Sequence, residues 1–426
     1  MLSSIAQNVI NVTDTIFLGR VGQVELGAMG LVGVFFYTFM MMGYGFSKGA
    51  QIIIARRAGE GKKKAIGWIM SNLLYFEIAL SIILFAILYF LSPLILKQFV
   101  NSEPVYQACL DYLSWRNFSV FLGFIGFSMV AFFTGIGKTR IIIISTIILA
   151  VVNVCLNYTL IFGKFGFAPM GITGAGIAST IAESLAALFL FTFAFFSKEL
   201  KPYKLFTFNR FNYNLVSSLF NLSIPIVIQF LIGLGGWFVF FSLIENLGED
   251  KLAVSNIIKA LYLFFGVPTW GFGSACQTII SNIIGQGQNH LVWPTTKKIA
   301  LMSLLFTMAI CVIIALFPEW LLSIVTDDLT LINESKPILW LLIFILLNYT
   351  LASTIFHTVS GTGAIRQSLL IEFVAVIAYL AYVYIVIFKV EGNLWQAWSS
   401  EFAYWTTLLV LSVWYIKSNK WQGLKI

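Results

Sequence analysis

Long apolar stretches, cut by short polar ones, run the length of this 426-residue chain. Most exceed the ~20 residues a helix needs to cross a hydrocarbon core. In order they predict twelve spans: 1–19, 27–55, 66–91, 107–135, 141–163, 173–196, 215–245, 252–284, 297–317, 337–360, 368–389 and 394–416. Barrel strands would instead be alternating segments of ~10 residues. The pattern therefore predicts an all-α polytopic membrane protein. The widest polar break spans 197–204 and runs on to Arg210. It divides a first half, 1–200, from a second, 215–426, with 201–214 as a cytoplasmic linker.

The halves repeat. Gly59-Glu60-Gly61 matches Gly285-Gln286-Gly287 at an offset of 226 residues. The same offset pairs Gln51 with Gln277, Gly45 with Gly271, and Gly135-Ile136-Gly137 with Gly361-Thr362-Gly363. Six spans per half is an even number, so both halves share one orientation. They are expected to form two pseudo-symmetric six-helix bundles, as parallel repeats about an axis along the membrane normal. Span one is about ten residues shorter than its repeat partner. Either the first helix starts late or a natural start lies upstream of Met1.

Composition and charge add topology. Only 10% of residues are charged, against ~25% in soluble proteins. The net charge of +8 sits in loops, which argues for topology and against nucleic acid. Loops after even-numbered spans, with the C-terminal tail, hold seventeen Lys and Arg; loops after odd spans hold six. Basic residues favour the cytoplasmic side, so both termini are expected in the cytoplasm. Four scattered cysteines and two histidines suggest neither a disulfide framework nor a zinc site.

The candidate chemistry begins at Asp14. A charge near the middle of a bilayer costs ~2.5–3.5 kcal/mol on insertion scales and marks a functional site by default. The plainer alternative is a helix-end residue near the headgroups. The offset places Phe240 opposite Asp14, so the carboxylate is not repeated. Asn153 and Asn157 lie four apart on one helix face, and Thr180 and Glu183 follow in the next span. Asp14, Asn153, Asn157 and Thr180 suit either a sodium site or a hydrogen-bonded cage for a protonatable Asp. Glu183, Lys48, Gln51, Gln229 and Gln277 are further polar candidates, as a second acid or as cavity lining. Lys48 is a candidate to neutralise Asp14 or Glu183. Glu77, Glu372 and Glu401 are read as paired, snorkelling or nearer the membrane surface than the span pattern sets them.

The run Thr13-Asp14-Thr15-Ile16-Phe17-Leu18-Gly19-Arg20-Val21-Gly22 resembles the first-helix signature of the multidrug and toxic compound extrusion (MATE) transporters, of the MOP flippase superfamily. So do Ala55-Arg56-Arg57-Ala58-Gly59-Glu60-Gly61, Thr134-Gly135-Ile136-Gly137-Lys138 and Val152-Asn153-Val154-Cys155-Leu156-Asn157-Tyr158. Gly171 to Thr180 looks like the family's sixth-helix entry. The resemblance implies two six-helix lobes and export of organic, often cationic, compounds against inward Na+ or H+. Asp14 matches the coupling Asp, with Asn153 and Thr180 as its polar partners. Asn157 stands where several members carry a second Asp. Some members use a Glu in helix seven and an Asp in helix ten; 227–233 and 348–351 here hold no carboxylate. The alternative within the superfamily is a lipid-linked oligosaccharide flippase, kept open by Lys48, Arg116 and Lys259.

An integral-membrane enzyme is a less favoured class. Gly45-Phe46-Ser47-Lys48-Gly49 matches Gly-x-Ser-x-Gly by letter, but inside a span and not at a strand-to-helix elbow. A P-loop fails at Phe132. The expectation is a monomeric, non-enzymatic transporter of the inner or plasma membrane. It would work on small organic molecules, with Na+ or H+ as coupling ion and no other cofactor, nucleotide or nucleic acid.

Overall fold

The computed structural model describes residues 13–207, 212–326 and 328–424, and its regular elements there are all helices. The expected late or upstream start of span one falls on residues 1–12, outside the described ones. Helix α1 covers 13–19. Then come α2 (Gln23–Gly59), α3 (Lys63–Phe99), α4 (Glu103–Arg116), α5 (Ser119–Gly135), α6 (Thr139–Phe162) and α7 (Gly171–Phe196). After a 3-10 turn (Lys198–Tyr203), the chain continues with α8 (Tyr213–Glu245), α9 (Glu249–Gly285), α10 (Val292–Leu316) and the short α11 (Pro318–Ser323). It ends with α12 (Leu329–Gly361), α13 (Ile365–Phe388), α14 (Leu394–Trp398) and α15 (Ser400–Lys417). Among the described residues nine helices are long and apolar enough to cross a membrane, and the α4–α5 pair makes a tenth.

Element boundaries repeat as the sequence does. Gln23–Gly59 and Glu249–Gly285 are related end to end by 226 residues, as are Thr139–Phe162 and Ile365–Phe388. The Gly-x-Gly motifs have a physical reason at each glycine. Gly137 and Gly363 take left-handed φ of 75° and 90° just past their helices, which a Cβ disfavours. Gly135 and Gly361 let helices touch: a Cβ on Gly135 would lie 2.6 Å from Ile54 Cγ2, and one on Gly361 2.6 Å from the Gln277 carbonyl oxygen. Gln51 and Gln277 are thus buried at equivalent crossings, α5 on α2 and α12 on α9.

Spans three and four differ from the sequence pattern, and span twelve is split into α14 and α15 at Ser399. The third does not stop before Pro93. Proline removes one N–H donor, but the flanking apolar turns carry the helix on to Phe99. The fourth is broken rather than continuous. It turns by 56° between α4 and α5, at Asn117, whose short amide favours helix ends over interiors. Its repeat partner α12 runs unbroken.

The chain clusters into two compact units, one up to Val227 and one from Ile228 onwards, with the boundary inside α8. In the first unit Leu18, Val32, Phe36, Leu88, Tyr112 and Phe124 belong to one apolar core. The start of α8 packs there too: Ser223 Oγ donates to the Phe46 carbonyl at 3.2 Å. The second unit is richer in rings, with Phe240, Tyr262, Tyr349, Tyr379 and Trp398 in its core. Between helices the charges pair. Glu60 sits 2.7 Å from Arg57 and 2.9 Å from Lys62. Partial burial works against its ionisation, but hydrogen bonds from Lys62 and Arg57 hold its carboxyl below the ordinary 4.5.

Candidate functional site

Asp14 is completely buried, on the described part of α1. A carboxylate so placed needs hydrogen-bond donors on both oxygens. Asn157 Nδ2 donates to Oδ1 at 2.5 Å, and Asn153 Nδ2 lies 3.4 Å from the same atom. Ser179 Oγ donates to Oδ2 at 2.7 Å. The donors are themselves tied together: Asn157 Nδ2 to Asn153 Oδ1 at 3.2 Å, and Asn153 Nδ2 to Ser179 Oγ at 3.0 Å. Asn153, Asn157 and Ser179 are all fully buried. The i, i+4 spacing of the two amides on α6 is what brings both to Asp14.

Thr180 is the correction. Its Oγ1 donates to the Gly176 carbonyl at 2.8 Å and the Trp115 carbonyl at 3.2 Å, away from Asp14. Successive helical residues point ~100° apart, so only one of Ser179 and Thr180 can face α1. Ser179 does. Its signal in the sequence was weak, because a lone Ser in a membrane helix usually bonds its own backbone.

Glu183 has a partner the sequence did not identify. Arg116 grips it with both ends of the guanidinium: Nη1 to Oε2 at 2.8 Å and Nη2 to Oε1 at 2.6 Å. Both side chains are nearly buried. Lys48, read as a candidate partner of Asp14 or Glu183, instead contacts Gln51 Oε1 at 3.2 Å and lies 5.5 Å from the Tyr44 ring centroid. Gln229 lies in the second unit with its Nε2 buried and unpartnered. Gln277 is buried on α9.

Three more carboxylates are buried. Glu77 accepts from Ser47 Oγ at 2.9 Å, while its Oε2 has no partner. Glu372 accepts from Tyr404 at 2.5 Å. Glu401 accepts from Tyr262 at 3.0 Å and Trp405 Nε1 at 2.8 Å. Among the described residues none of the three forms a salt bridge, so neutral donors serve in place of the expected pairing or snorkelling.

The repeat shows what the second unit has in place of the Asp14 site. At the positions of Asp14 and Asn153 stand Phe240 and Tyr379, stacked with centroids 5.5 Å apart. The position of Asn157 is Val383, and that of Ser179 is Trp405. A polar hydrogen-bonded pair in one unit corresponds to a ring stack in the other.

The oxygens around Asp14 suit a monovalent hard cation. Besides the carboxylate there are Asn153 Oδ1, Ser179 Oγ and Asn157 Oδ1, the last buried without a partner. The same cage suits a proton, since Asn and Ser can donate to the ionised acid and accept from the neutral one. Among the described residues no group of three or more His, Cys, Asp or Glu could hold a metal.

Comparison with known proteins identifies the family and the fold. The MatE family profile matches residues 1–159 and 225–385. A probable multidrug resistance protein NorM of Thermotoga maritima is 28% identical, over 99% of this chain and 91% of its own length. Its namesake in Rhizobium meliloti is 26% identical over 76% of this chain and 70% of its own. In structure, a MATE in complex with MaL6 gives a TM-score of 0.91 at 16% identity, covering 99% of this chain and 95% of that one. A MOP superfamily transporter from Pyrococcus furiosus gives 0.89 at 17%, covering 99% and 94%. These likenesses show a shared fold.

Proposed function

Because the chain belongs to the MatE family, whose members are multi-pass membrane transporters, we propose that it is a secondary active antiporter exporting organic, amphipathic, cationic compounds. The coupling ion is Na+ or H+, taken up at Asp14. The protein works as a monomer of twelve spans in two six-helix lobes, in the inner or plasma membrane with both termini cytoplasmic. The observation that carries the reading is one buried carboxylate held by three neutral donors. With no fixed cation bonded to it among the described residues, Asp14 is open to a mobile one.

The mechanism follows from linkage. A cation arriving at Asp14 removes the negative charge that Asn153, Asn157 and Ser179 solvate, and their donors must find new acceptors. That changes the packing of α1 on α6 and α7. Transport needs the ion to bind two states of the protein differently, since equal affinity shifts nothing. Ion uptake and substrate release then oppose each other reciprocally. The flippase alternative draws on free cations within the spans, and Arg116 is committed to Glu183.

The test is ethidium transport into everted vesicles under separately imposed Na+ and pH gradients. Asp14→Asn keeps the shape and removes the charge. It is expected to insert and fold normally and to lose gradient-driven transport. Wild-type rates in this variant would sink the assignment.

A further inference from the structure

Glu183 and Ser179 lie four residues apart on α7, about 5–6 Å between Cβ atoms. Ser179 bonds Asp14 and Glu183 bonds Arg116. The guanidinium and the Asp14 carboxylate are thus held by neighbouring turns of α7, within each other's electrostatic reach. Arg116 ends α4 at the break before α5, where the free carbonyls of a helix C-terminus favour a cation. It lies 4.6 Å from the Phe36 ring centroid, and its Nε is buried without a partner. The titratable groups around it are Tyr112 on its own helix, Glu183 on α7 and Asp14 on α1. From α2 the Phe36 ring faces it.

Charge decides the role. The cluster holds two carboxylates and one guanidinium, a formal sum of −1. In a low-dielectric interior a permanent cation outcompetes a mobile one for the nearest free carboxylate. We infer that Glu183 is a positioning residue that holds the Arg116 guanidinium off Asp14, leaving the site one uncompensated negative charge and hence one monovalent cation per cycle. This rests on Asp14 being the coupling acid. Glu183 is not a second coupling acid, because its charge is spent on Arg116.

Neutralising Glu183 alone should release Arg116 onto Asp14, which fills the site with a fixed charge. Removing both partners should empty it again. Two readouts on full-length protein test this: ethidium transport in everted vesicles, and an infrared pH titration of the protonated carboxyl band that Asp14→Asn abolishes, in Na+-free nanodiscs. Glu183→Gln is expected to lose that band and to slow transport by about tenfold or more. The double variant Arg116→Gln/Glu183→Gln is expected to regain the band and to come within about threefold of the wild-type rate. A Glu183→Gln protein with the wild-type band and rate overturns the inference. So does a folded double variant no better than the single one. If Glu183→Gln does not fold, Glu183→Leu is read in its place, with a lost band supporting the inference and a wild-type band overturning it. Should Asp14→Asn transport normally, the antiporter reading fails, while the band across the two Glu183 variants still decides whether Arg116 is held off Asp14.

Discussion

At the scale of the residue, the difference between Ser179 and Thr180 is the sharpest test of the site. Ser179→Ala removes the only hydrogen bond to Asp14 Oδ2 among the described residues. A buried charge that loses one donor is destabilised by ~1–3 kcal/mol, so ion dependence should shift by about 5- to 150-fold. Thr180→Ala removes only bonds to backbone carbonyls, and its ion dependence should match wild type in the same vesicle assay. Equal effects of the two would show that the rotation of α7 is wrong. Asp14, Asn153 and Asn157 were legible because polar residues stand out in apolar spans and the amides share a face. Ser179 was not, because a pattern fixes which residues are polar but leaves a many-sided buried helix free to turn by one position. A lesser prediction concerns pH. Arg57 and Lys62 hold the Glu60 carboxyl below its ordinary 4.5. A depressed folded value stabilises above the unfolded one and is lost as pH falls through the folded one. Stability from this loop should therefore fade below about 4.5. The side chain is partly exposed, so Glu60→Gln should cost under ~1 kcal/mol at pH 7 by thermal unfolding and remove that acid dependence.

At the scale of the element, the Gly-x-Gly motif separates two kinds of glycine. Gly137→Ala asks a left-handed residue to carry a Cβ, at about 1–2 kcal/mol. Gly135→Ala drives a methyl into Ile54 and towards the Gln51 carbonyl, an overpacking of about 1–3 kcal/mol. Both should lower the melting temperature of the purified protein, but only Gly135→Ala should alter α5 against α2. Cross-linking of cysteine pairs placed across that contact would detect it. Both sites were visible as repeated letters, yet their separate reasons needed the fold. The break at Asn117 was hidden for a related reason. Both flanks are apolar, so hydropathy runs on through a 56° bend.

At the scale of the whole molecule, the repeat was legible because element lengths and loop glycines share one offset. What it could not convey is how differently the two units use equivalent positions. Phe240 and Tyr379 stack where Asp14 and Asn153 hydrogen-bond. Phe240→Asp would place a carboxylate where Val383 and Trp405 have replaced Asn157 and Ser179. It should cost upwards of ~3 kcal/mol, read by thermal unfolding, with no added ion dependence. Phe240→Leu should leave ion dependence unchanged. A charge gained at 240 that doubled the coupling stoichiometry would contradict this division.

The ion pair at the bend also sets an order of events during synthesis. Arg116 and Glu183 are 67 residues apart. A ribosome adding ~5–20 residues per second needs several seconds to make that interval. In that time α4 reaches the bilayer with its guanidinium uncancelled, which disfavours insertion. The nascent helix is expected to wait at the interface, or in the insertion machinery, until α7 emerges. Membrane integration of the first unit should then complete late, and a chain cut short before Glu183 should leave α4 outside the hydrocarbon.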